Sequence, residues 1–153
     1  MPADLRDRAD VAELVTAFYR AAFDDPLIGP IFTDVARMDL DHHLPIMCDF
    51  WETVLFDVVL YRRNALQLHA ALHARHPLKA EHFDRWLALW VETVDARFAG
   101  PVAERAKVQA RRIAGSIGRR LDGRTGTVYD TILSRDRAQQ IGIDTSLPGQ
   151  AAP

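Results

Sequence analysis

"DHHLPIMCDFW", residues 41–51, sets two adjacent histidines and a proline at the head of an oily run that carries the chain's only cysteine. With about 100° between successive residues of an α-helix, Leu40, His43, Met47, Phe50 and Val54 project from one face, Trp51 lies beside them, and His42 is turned well away. The two histidines are therefore not equivalent. Proline breaks a helix interior but is tolerated in the first turn, where its missing amide has no partner to lose, so Pro45 places the helix start near Asp41. His43 is then held in a rigid first turn and aimed at the apolar side.

The flanking segments keep the same period. "DVAE", residues 10–13, has the form of a capping box and predicts a helix start. Val11, Leu14, Val15, Phe18, Ala22 and Phe23 then share a face with Tyr19 on its edge, until "DDP" closes the segment at Pro26. "IGPIF", residues 28–32, is turn chemistry that leaves Phe32 pointing at something apolar. "NALQLHAALHARHP", residues 64–77, reads as a short helix with Asn64 as cap and Pro77 as stop. Two longer stripes follow: Phe83, Trp86, Leu87, Trp90, Val94 and Phe98 over residues 80–98, ended by Gly100 and Pro101, then Ala106, Ala110, Ile113, Ala114, Ile117 and Leu121 over residues 102–121. No stretch alternates with period two. The expected fold class is all-α, one domain over residues 1–122, with residues 123–153 a polar, flexible C-terminal extension.

A chain of 153 residues with 48% apolar content can bury one core. A net charge of −2 with both signs interspersed argues against an electrostatic grip on nucleic acid or an acidic membrane, and no apolar run approaches the 18 or so residues of a span. Cys48 is alone, so no intrachain disulfide can form, which fits a reducing compartment and a cytoplasmic location.

Several chemistries can be weighed on residue types alone. Paired tryptophans one turn apart and a histidine on an apolar face are, by spacing, more often core than cofactor contacts. His69, His73 and His76 share a helical face and suggest zinc, but no second cysteine and no HExxH completes such a site. The Glu-x-x-His pairs of a di-iron bundle are absent, as are GxSxG and a Gly-rich phosphate loop. Haem asks for one neutral imidazole, a wide apolar slot and a hydrogen-bond donor over the open coordination position. A short histidine-bearing helix, a facing helix with His43 and two aromatic-lined helices supply that list.

Four ordered segments resemble the group III truncated haemoglobins over most of the chain, from about Leu14 to about Leu121. "FYRAAFDDPLIGPIF" (18–32) looks like that family's tyrosine-bearing B helix and turn, and "HLPIMCDFW" (43–51) like its E-helix signature. "YRRNALQLH" (61–69) looks like the lead-in to the iron-ligating histidine, and "HFDRWLALW" (82–90) like its G helix. The resemblance implies a two-over-two globin fold holding one non-covalent haem b, since no CxxCH is present. It implies His69 as proximal ligand, five residues after Asn64, with His73 or His76 as the alternatives. Tyr19, His43 and Trp86 become the distal groups. Phe32, Met47, Phe50, Leu66, Phe83 and Trp90 become the lining, and Trp51 a signature residue whose role is packing.

A phenol and an indole N–H aimed at bound O₂, each contributing on the order of 1–3 kcal/mol in a dry site, suit oxygen or nitric oxide redox chemistry better than carriage. The implied partners are O₂, NO and CO, with a reductase to restore Fe(II). A non-catalytic ligand-binding or sensing module is the rival reading. The family commonly has Lys at position 46, Gly at 63 and Pro at 65, where this chain has Ile46, Arg63 and Ala65. Arg62 and Arg75 are then the candidates to meet the haem propionates.

Overall fold

The computed structural model describes residues 1–58, 60, 61 and 63–121, and the expected C-terminal extension lies outside the described residues. Five helices follow in order: α1 (Arg8–Asp24), α2 (Leu40–Phe56), α3 (Ala65–Arg75), α4 (Ala80–Arg97) and α5 (Pro101–Leu121). No strand occurs among the described residues. α1 packs on α2 and α4 on α5; α1 also lies on α4, α2 on α5, and α3 leans on α5. The result is one helix pair laid over another, as the sequence leads one to expect.

The core is where the apolar stripes meet. Val11, Leu14, Val15 and Phe18 of α1 are sealed against Leu89, Trp90 and Val94 of α4 and the small Ala103, Ala106 and Ala110 of α5. Alanines at helical spacing keep α5 thin on that face, which lets the bulky indoles of its neighbours fit beneath it.

Three boundaries differ from the sequence reading. α1 starts at Arg8, a turn before the "DVAE" box, because the Asp7 side chain caps the Asp10 amide at 3.1 Å. The Asp10 carboxylate points backwards instead, to the amide and Nε of Arg6. α2 starts at Leu40 with Asp39 as cap, so Pro45 sits a turn deeper than a first-turn proline and removes one interior amide donor from the helix. "IGPIF" is more than a turn, since Ile31–Val35 form a turn of π-helix. By contrast, α3 begins as expected, with the Asn64 side chain accepting from the Gln67 amide at 2.9 Å.

Two buried polar groups that carry no periodic signal hold the frame. Thr53 donates its hydroxyl to the Asp49 carbonyl (2.7 Å) and accepts from the amides of Leu60 (3.3 Å) and Tyr61 (3.0 Å). One side chain thus ties the chain leaving α2 back onto the helix. Asp25, beyond the end of α1, accepts from the amides of Leu27 and Ile28 and from Arg85 Nε at 2.7 Å. Burial alone would raise that carboxyl's pKa, but those amides and the guanidinium outweigh it and hold it below its ordinary value.

The charged N-terminus is also structural. Asp4 accepts from the amides of Val102 (2.9 Å) and Ala103 (2.8 Å), so it caps α5 from the far end of the sequence. Gly100 lets it approach: its φ is +141°, and a Cβ there would lie 2.5 Å from the Asp4 carboxyl carbon. Asp4→Ala should cost about 1 kcal/mol, as lost caps do, and lower the urea midpoint without altering the slope; an unchanged midpoint would show that the cap contributes nothing.

Candidate functional site

α3 has no fully buried residue, although Leu66, Leu68 and Leu72 are apolar. The same half-coverage marks Met47 and Phe50 on α2, Phe83 and Trp86 on α4, and Phe32 in the π-helical turn. In the core, by contrast, Leu14, Phe18, Leu89 and Val94 are sealed. We read the half-covered set as the lining of a candidate slot between α2 and α3, beside Tyr61, which packs on Ile46, Met47, Phe50 and Ala65.

His69 stands on the α3 side. Its Nδ1 lies 2.7 Å from the Ala65 carbonyl, one turn back, so that nitrogen carries the proton and donates it. Nε2 is left as a lone pair fixed in direction. Burial pushes the His69 pKa down, and the bond to Ala65 only partly offsets this. The residue nevertheless keeps accessible surface. The ring is thus largely desolvated while the residue is not fully sealed.

Tyr19 of α1 and His43 of α2 stand together, and Trp86 of α4 meets Phe18, the neighbour of Tyr19. Tyr19 is 7% exposed, with its ring edge-on to His43 (6.0 Å between centroids) and to Phe32 (5.8 Å). No described residue accepts from its hydroxyl, and burial drives its pKa well above that of a free phenol. His43 is half-buried while His42 is exposed, the difference that helix geometry dictates. Burial is the largest influence lowering the His43 pKa, followed by the charges of Arg63, His42 and His69. The His69 charge is thus the smallest of the influences on His43.

The two tryptophans of α4 divide their work. Trp90 is 1% exposed and its Nε1 donates to the Ala106 carbonyl at 3.2 Å. With no surface left to touch a ligand, it stands behind Trp86 rather than lining the slot. Trp86 is half-buried, and no described residue accepts from its N–H. Trp51 is 4% exposed and packs as a core residue. Phe32 stacks on Phe23, and Phe83 lies against Gly118 of α5, where a Cβ would still fit at 3.7 Å.

The other histidines are engaged locally. His73 Nδ1 accepts from the Leu78 amide and His82 Nδ1 from the Lys79 amide, both at 2.9 Å, and the His76 ring is 5.8 Å from that of His82. No group of three metal-ligating side chains occurs among the described residues, which removes support from the zinc reading. Arg75 reaches across from α3 to the Val35 carbonyl. Arg62 lies outside the described residues, while Arg63 is half-buried near Tyr61.

Sequence reasoning did not single out Tyr61, Thr53 or Phe18. Tyr61 and Thr53 belong to a non-periodic connection; Phe18 was visible as core, but not as the ring that meets Trp86 edge-on at 5.7 Å.

No family model matches the chain, and no curated protein does. Among solved structures, the crystal structure of group III truncated hemoglobin from Campylobacter jejuni matches with a TM-score of 0.69 and 23% identity, over 79% of this chain and 95% of that one. At this identity the likeness establishes the fold. The described helices therefore have the architecture of a truncated globin, and no helix among them is long and apolar enough to cross a membrane.

Proposed function

We propose that residues 1–122 form a haem-binding truncated globin of the group III type, with residues 123–153 an extension of it, acting on diatomic ligands in the cytoplasm. The observation that carries this reading is His69, with Nδ1 spent on the Ala65 carbonyl and Nε2 free, in a fold that also brings Tyr19 beside His43. A neutral imidazole oriented by a backbone carbonyl is the usual form of a metal-ligating histidine. The residues therefore fit the group, and Met47, Phe50, Leu66 and Phe83 would meet its flat faces.

Bound there, a haem b supplies a coordination position for O₂, NO or CO and the electron chemistry that goes with it. The protein's part is directional. The Tyr19 hydroxyl and the Trp86 N–H donate toward charge that develops on a ligand, in a site from which water is excluded. His43 stays neutral at pH 7, because its pKa is lowered, and so offers one donor and one acceptor instead of a positive charge. A slot with several donors retains a polar ligand. That favours oxidation of nitric oxide by bound O₂, or reduction of peroxide, with a reductase as electron source, over oxygen carriage.

Adding hemin to the purified protein should give a Soret band at one equivalent, and the reduced protein should consume nitric oxide catalytically while O₂ and a reductant last. A colourless protein would end the proposal. A single stoichiometric reaction would leave a ligand-binding module in place of an enzyme.

A further inference from the structure

The chain's three tryptophans form one stack. Trp86 and Trp90 lie 6.1 Å apart at 5° between planes, and Trp90 and Trp51 lie 4.3 Å apart at 16°. Aromatic pairs in cores often settle edge-to-face, and Phe18 does so with both Trp86 and Trp90. Three indoles held face to face are a different arrangement. Trp86 borders the slot, Trp90 is sealed, and Trp51 belongs to α2, next to Glu52, which meets Arg8 at the surface.

We infer that Trp86, Trp90 and Trp51 are a relay that carries single electrons from α2, through the core, to Trp86. The inference rests on the haem reading above. Its oxidant is a hydroperoxide: over a full cycle ROOH takes up two electrons and two protons and leaves as ROH and water. One of those electrons is drawn first from Trp86, which becomes an indole radical cation. An electron from Trp90 refills Trp86, and one from Trp51 refills Trp90. An external one-electron reductant then refills Trp51, and a second electron from the same reductant completes the cycle.

Chemistry decides that tryptophan, rather than tyrosine, takes this role. A phenol gives up an electron readily only if its proton has somewhere to go. Tyr19 and Tyr61 have no described acceptor for theirs, and burial holds both protons firmly in place. An indole can lose an electron and keep its proton. At Trp90 the N–H already points at the Ala106 carbonyl, whose negative end favours the radical cation.

The test mixes ferric hemin-loaded protein with hydrogen peroxide in the absence of reductant, then uses freeze-quench electron paramagnetic resonance and peptide mapping. A tryptophanyl signal is expected, with oxidised indole at Trp86 and at Trp51. Trp51 is too well sealed for peroxide to reach directly, and hemin-free protein provides the control. Trp90→Phe should leave the mark on Trp86 and reduce that on Trp51 severalfold. Should that variant fail to fold, Trp51→Phe should instead concentrate the oxidised product on Trp86 and Trp90. Equal oxidation of Trp51 with and without Trp90, or a tyrosyl signal alone, would overturn the relay. A Soret band without an indole radical removes the relay only; no Soret band removes the haem reading and the relay together.

Discussion

His69→Ala will abolish the iron–histidine vibration and shed hemin faster than wild type, by more than the 10- to 100-fold that changes behind a metal ligand cost. The geometry makes the prediction specific. Among the described residues, His69 is the one histidine whose Nδ1 is fixed by a carbonyl, which leaves its Nε2 free. His73 spends its Nδ1 on the Leu78 amide, and His76 lies beside His82, so alanine at either position should leave the vibration intact. Imidazole added to His69→Ala should restore much of the spectrum, because the slot itself is unchanged.

The same residue sets an acid limit. Burial lowers the His69 pKa below the ordinary histidine value, so the folded state prefers the neutral ring. The sign follows: that preference contributes stability in full above the unfolded value, about 6.5, and it is lost as pH falls through the folded one. Iron at Nε2 opposes protonation in the same direction. Hemin should therefore stay bound through the ordinary histidine range and leave only at more acid pH. Release centred at or above 6.5 in wild type would count against His69 as the ligand.

The second large effect belongs to Tyr19→Phe. The ring keeps its edge contacts with Phe18, Phe32 and His43, so packing is preserved and only the unpartnered hydroxyl goes. If that hydroxyl donates to bound O₂, its loss removes about 1–3 kcal/mol, and O₂ should leave about 5- to 140-fold faster, at 1.4 kcal/mol per decade. Carbon monoxide draws less negative charge onto its outer atom and should respond much less. Stopped-flow release rates for both gases would check this, and equal changes would point to altered access instead of a lost donor.

Much of this could be read from the chain because helices advertise themselves. The stripes on α1, α4 and α5 and the caps at Asn64 and Pro77 are local patterns, and local patterns decided the fold class. The 100° rule separated His42 from His43 before any coordinates did. What escaped was long-range or irregular. Asp4 reaches the α5 amides across 98 residues of chain, and Thr53 binds a connection that has no period. The placement of Trp90 behind Trp86 depends on which of two neighbouring stripe residues meets Ala106, and spacing on a single helix cannot report that.

The unequal ends of the α2–α3 pair bear on how a flat guest arrives. At the joined end Thr53 stitches three backbone groups together and Tyr61 is wedged over Phe50 at 5.0 Å. At the other end the exposed Arg75 side chain of α3 reaches the Val35 carbonyl, in the π-helical turn ahead of α2. The pair is thus built like a clamshell with a stiff hinge and a light clasp. A disc loads most cheaply through the clasped mouth, sliding toward the hinge until its edge meets the tyrosine.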